Sequence, residues 1–82
     1  MKITLDISLY PLNEEFIPII KDFINTISKY PNITISKNNI STQISGEYDI
    51  IMELLNNEIK SIFEKQRSVL VIKFLSGDKL ND

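Results

Sequence analysis

Cysteine and histidine are both missing from the 82 residues. No disulfide can brace the fold, and thiolate chemistry and zinc–cysteine centres are excluded. Without histidine the chain lacks the commonest general base and metal ligand, and no Ser-His-Asp triad is possible. Glycine occurs only at positions 46 and 77, which cannot build a phosphate-cradling loop. No apolar run approaches the ~18 residues of a membrane span. The opening "MKITLDISLY" alternates instead of forming a signal-peptide centre. A cytoplasmic chain with no membrane partner is the expectation. Nine Lys and Arg against eleven Asp and Glu leave a net charge of −2, with the cations scattered. A nucleic-acid partner would call for a basic stripe, so none is expected.

What is present is ordinary globular material. At 43% hydrophobic and 24% charged, the chain can pack a core and is not a disordered segment. Its length suits one domain spanning 1–82. Such a domain buries only about 60–65% of its unfolded surface, so its core is small.

Periodicity divides the chain into six elements. In residues 2–10, Ile3, Leu5, Ile7 and Leu9 alternate with Thr4, Asp6, Ser8 and Tyr10, the period of a half-buried strand. Pro11 ends it, and Asn13 is a candidate helix cap with Glu14 and Glu15 behind it. Phe16, Ile20, Phe23 and Ile27 mark a helix over 16–28, with Pro18 in its first turn. A short strand follows over 32–37, and Asn38-Asn39 offers the positive φ angles of a tight hairpin. Residues 40–45 alternate again until Gly46 interrupts them. Ile51, Leu54, Leu55, Ile59, Ile62 and Phe63 stripe a second helix over 49–65. "VLVIKFL", residues 69–75, is a last strand, apolar on both faces, and the "KLND" tail is expected to be frayed or loosely docked.

The order βαββαβ with right-handed crossovers specifies a ferredoxin-like α+β fold. Its antiparallel sheet runs 4-1-3-2, and both helices lie on one face. The other face is left open. Because the last strand is apolar on both sides, that face is expected to join copies into a homodimer or homotetramer.

Two catalytic or binding uses of this topology do not fit. An acylphosphatase needs arginine in the loop after the first strand, and Arg67 lies before the last one. An RNA-recognition sheet needs aromatics on its central strands, and only Tyr10 qualifies. The remaining chemistry is polar. The sheet order sets Asp6, Ser8 and Tyr10 beside Ser41, Gln43 and Ser45 on the open face, while Thr42 interrupts the isoleucines opposite. Either Thr42 bonds locally and the serines face solvent, or these groups form a small pocket for a flat heterocycle. Glu47 and Asp49 stand at a helix start, where acids commonly complement free N–H groups.

"DISLYPL" (6–12), "IKDFI" (20–24), "STQISGEYD" (41–49) and "VIKFLSGD" (71–78) together resemble the YkoF-like thiamine-binding family along nearly the whole chain. The resemblance implies a ferredoxin-like, non-enzymatic, oligomeric protein that takes thiamine or its hydroxymethylpyrimidine half as ligand, with no cofactor and no metal. The implied ligand residues are Ser8, Tyr10, Thr42, Gln43 and Glu47, to which the open-face reading adds Asp6 and Ser41. Gln43, Ser8 and Thr42 would bond the pyrimidine, and Glu47 or Asp6 would lie near the thiazolium. An interaction module with no small ligand is the alternative.

Overall fold

The computed structural model describes residues 1–81. The elements are β1 (Lys2–Pro11), α1 (Phe16–Ser28), β2 (Ile33–Lys37), β3 (Thr42–Glu47), α2 (Tyr48–Lys65) and β4 (Ser68–Ser76). They form one four-stranded sheet in the order β2-β3-β1-β4, every neighbouring pair antiparallel. The ferredoxin-like arrangement expected from the sequence is the one observed.

The core is built on the alternating side of β1. Ile3, Leu5, Ile7 and Leu9 are buried with Ile44 of β3, Phe23 and Ile27 of α1, and Ile51, Leu54, Leu55 and Ile62 of α2. Both helices lie over this face. Two stripe residues fall outside the core, Phe16 at the exposed start of α1, beside the exposed Ile17, and Phe63 near the end of α2.

Several local expectations shift. Asn13 does not cap α1; its Oδ1 accepts the Glu15 N–H at 2.9 Å, closing a turn before the helix begins. The residue with positive φ is Asn32, at 63°, and not Asn38 or Asn39. Asn38 works through its side chain, whose Oδ1 accepts the N–H groups of Ile40 and Ser41 at 2.7 and 2.9 Å. Gly46 does not interrupt β3. It pairs with both Ile3 and Ile33, and the strand continues to Glu47. Its smallness matters, since a Cβ there would stand 3.1 Å from the Asn32 carbonyl oxygen.

The tail is also better anchored than expected. Gly77, at φ 101°, turns the chain across the open face. Thr4 Oγ1 donates to the Gly77 carbonyl at 2.8 Å and accepts the Lys79 N–H at 2.9 Å. Asn81 reaches Thr34 of β2 at 3.1 Å. The strap buries Ser45, whose hydroxyl makes no hydrogen bond of ordinary length. The expectation for Asp82 lies outside the described residues.

Candidate functional site

Strand parity sorts the candidate residues onto two sides of the sheet. On the open side, Asp6 stands opposite Gln43 in register, and Ser41 follows just outside β3. Asp6 Oδ1 accepts from Ser41 Oγ at 2.6 Å and from Gln43 Nε2 at 2.7 Å. Gln43 Nε2 also lies 2.7 Å from Ser41 Oγ, so the three side chains close a ring. The Ser41 hydroxyl and the Gln43 amide hold the Asp6 carboxyl below its usual range. Partial burial opposes them, and Lys73, opposite on β4, adds a smaller attraction.

This network has a pH signature. A depressed native pKa contributes stability above the unfolded value of 3.8, and that contribution disappears as pH falls through the native value. Asp6→Asn should therefore flatten the acid limb of the stability profile. Urea midpoints measured between about pH 5 and 2 check it; an unchanged limb would mean that the carboxylate is not held as described.

Tyr10 is on the same side but stands 53% exposed beside Val69, with no hydrogen bond among the described residues. Glu47 shares the parity but not the place. Four residues beyond Gln43, it is about 13 Å along the strand. There its carboxylate pairs with the N-terminal ammonium at 3.1 Å and Lys2 Nζ at 3.9 Å. The C-terminal strap over Ser45 intervenes. Glu47 is thus held apart from Ser8 and Gln43, in ion pairs at the far end of β3.

The helix-covered side holds Thr42, while Ser8 has the open-side parity of Asp6 and Tyr10 but also lines a hollow there. Thr42 is opposite Ile7, only 5% exposed, and its hydroxyl has no partner among the described residues. It lines the same hollow, of about 100 Å³, between β1, α1 and the turn from Asn38 to Ser41. Leu9, Ile20, Phe23 and Ile24 supply the apolar wall; Ser8, Asn38, Asn39 and Ser41 contribute polar groups. Among the described residues, none that lines it is charged. The sequence reading found Ser8, Ser41 and Thr42 but missed the asparagines and the α1 residues. Only tertiary packing brings that helix face against the turn.

The seven candidates therefore divide. Asp6, Ser41 and Gln43 form one network, while Ser8, Ser41 and Thr42 line the hollow. Ser41 belongs to both. Tyr10 and Glu47 stand apart. No group of three or more acidic residues is placed to hold a metal among the described residues, and no helix there is long and apolar enough to cross a membrane.

Solved structures share the fold. A Streptococcus pneumoniae protein superposes with a TM-score of 0.84 at 20% identity, covering 98% of this chain and 91% of that one. A Thermotoga maritima protein provisionally assigned to thiamine biosynthesis or salvage gives 0.82 at 21% identity, covering 94% and 85%. A Methanocaldococcus jannascii protein of unassigned function gives 0.78 at 20%, covering 95% and 82%. No curated protein matches the chain. At these identities the structural likeness establishes the fold alone. The family assignment comes from the sequence: residues 2–77 match the YKOF-related family, and the chain belongs to it.

Proposed function

We propose that this chain is a non-catalytic binding protein for hydroxymethylpyrimidine, the pyrimidine half of thiamine, in a cytoplasmic salvage or sensing role. The observation that carries this reading is the Thr42 hydroxyl, which has no partner among the described residues and opens onto the edge of an apolar hollow. That hydroxyl is left to water in the empty hollow, and a ring nitrogen or amine entering it would replace the water and need the hydroxyl as its partner. Phe23 offers a face for an aromatic ring, and the Asn38 and Asn39 amides can meet its polar edge. Family membership and the thiamine assignment of the Thermotoga maritima protein support the same ligand class.

Size and charge select the pyrimidine over whole thiamine. An apolar cavity of ~150 Å³ accommodates one benzene ring, and sites that enclose larger ligands run about 300–1,000 Å³. A half-open hollow of about 100 Å³ is smaller than that, so it would seat one ring only partly and leave its substituents outside. The uncharged lining offers nothing to the thiazolium cation. Lacking histidine, cysteine and a phosphate loop, the chain would release its ligand unchanged.

Calorimetry with hydroxymethylpyrimidine, thiamine and thiamine phosphate tests this. The pyrimidine should bind at least as well as thiamine. Thr42→Val, which keeps the shape and removes the hydroxyl, should weaken it by about 1–1.5 kcal/mol, roughly tenfold. Glu47→Gln should change neither affinity. Full affinity in Thr42→Val would remove the hollow from consideration. Silence with all three ligands would favour the second reading, a homodimeric or homotetrameric interaction module. Tyr10, Val69, Val71 and Leu75, exposed on the uncovered face, give that reading its support.

A further inference from the structure

Ile40 stands in the turn between β2 and β3 and is 86% exposed, more than any other large apolar residue described. A lone apolar side chain in water is ordinary. This one borders the hollow. Turns favour glycine, asparagine, aspartate and serine, and Asn38, Asn39 and Ser41 meet that preference here. A stiff, β-branched isoleucine contributes nothing of that kind to the turn.

The turn is held together as one piece. Asn38 N–H donates to the Ser41 carbonyl at 3.1 Å, and Asn38 Oδ1 accepts the N–H groups of Ile40 and Ser41. The ladder resumes on either side of it only at the pair of Lys37 and Thr42. Its two ends differ. Ser41 Oγ donates to Asp6 at 2.6 Å, which fixes the root on β3. The other end follows β2, an outer strand paired with β3 alone among the described residues. The tip that carries Ile40 can therefore tilt about a fixed root.

We infer that Ile40 is a flap that folds over a ring seated in the hollow, and that it thereby selects ligands of one ring over ligands of two. This rests on the reading of the hollow as a pyrimidine site. The first ground is size. The half-open hollow, about 100 Å³, covers a ring only in part. Ile20 and Ile24, one helical turn apart on α1, line it with Phe23, and Ile40 borders it from the turn. A ring seated there gains an apolar wall on the turn side once Ile40 closes. Closure also takes the isoleucine out of water, a gain that the empty hollow does not offer.

The second ground is shape. Hydroxymethylpyrimidine carries only small substituents to the mouth of the hollow. In thiamine one carbon joins the pyrimidine to a second, charged ring. That ring must leave by the mouth, where it occupies the space into which Ile40 folds. The flap then stays open.

Calorimetry on the whole chain with hydroxymethylpyrimidine and thiamine tests this. Ile40→Ala should weaken the pyrimidine about tenfold, and thiamine by about twofold or less. Stopped-flow mixing should show the loss as faster dissociation. The heat-capacity change of pyrimidine binding should become less negative, because less apolar surface is buried. Ile40→Leu should keep most of the affinity. Without ligand, both variants should melt with the native chain, since so exposed a side chain adds little to the folded state. Unchanged pyrimidine affinity in Ile40→Ala, an equal loss with both ligands, or a lower melting point without ligand would overturn the flap alone. A native chain silent with both ligands would overturn the pyrimidine reading and the flap together.

Discussion

Leu5→Ala is expected to destabilise the fold by about 3–4 kcal/mol, the largest effect of any single truncation considered. Leu5 is wholly buried at the middle of β1, flanked by Ile44 on one side and Phe74 on the other. Removing its side chain leaves a hole bounded by sheet and helix, which the β-ladder on both sides prevents from collapsing. A domain of this length has roughly 4–12 kcal/mol of total stability, so the loss takes about a quarter of it or more. Urea unfolding should show a much lower midpoint at unchanged slope. Leu12→Ala, at a 60% exposed position, serves as control and should stay within about 0.5 kcal/mol. Equal effects at the two positions would contradict the assigned core.

Gly46→Ala is expected to cost about 1–3 kcal/mol, and Gly46→Val more. The reason is steric. Gly46 has no unusual φ, but its missing Cβ faces the Asn32 carbonyl oxygen at 3.1 Å, with Ile33 Cγ2 at 3.4 Å and Ile51 Cδ1 at 3.5 Å. The nearest obstacle is backbone. Asn32, at φ 63°, presents its carbonyl there in a conformation that non-glycine residues seldom adopt. Asn32→Gly should let that peptide shift, so the double variant should lose less than the sum of the two single ones. Thermal unfolding of the four proteins measures this coupling. Strict additivity would show that the two residues do not press on each other.

How Gly46 was legible, and how it was not, illustrates what pattern carries. Alternation of apolar and polar residues gave the strands and their order, because a period of two needs no tertiary information. The same alternation assigned Asp6 and Gln43 to one face and Thr42 to the other. Glycine in a short strand reads as an interruption, whereas here it is a clearance for the Asn32 carbonyl. Nothing in the letters separates those uses. The positive φ expected at Asn38 or Asn39 falls at Asn32 for a similar reason: any of these asparagines can take positive φ or bond its neighbours' amides, and packing decides which. The hollow was half visible. Its strand residues share a spacing, but Ile20, Phe23 and Ile24 come from a helix whose rotation about its axis no local pattern fixes. The strap was missed because its anchors, Thr4 and Thr34, lie far from it in sequence.

The strand order also bears on how quickly the chain can find its fold. β1 is first in sequence yet sits between β3 and β4, so neither of its partners is a neighbour along the chain. The Asp6–Gln43 bond closes a loop of 37 residues, and Thr4 to Gly77 spans 73. Local pieces, the β2–β3 turn and α2, can form within microseconds. β1 must wait, its apolar side exposed, until strands far along the chain arrive. High separation between contacting residues slows folding by raising the entropy of closure before any contact rewards it. The strand at the centre of the finished sheet is therefore the one most exposed to misassociation on the way there.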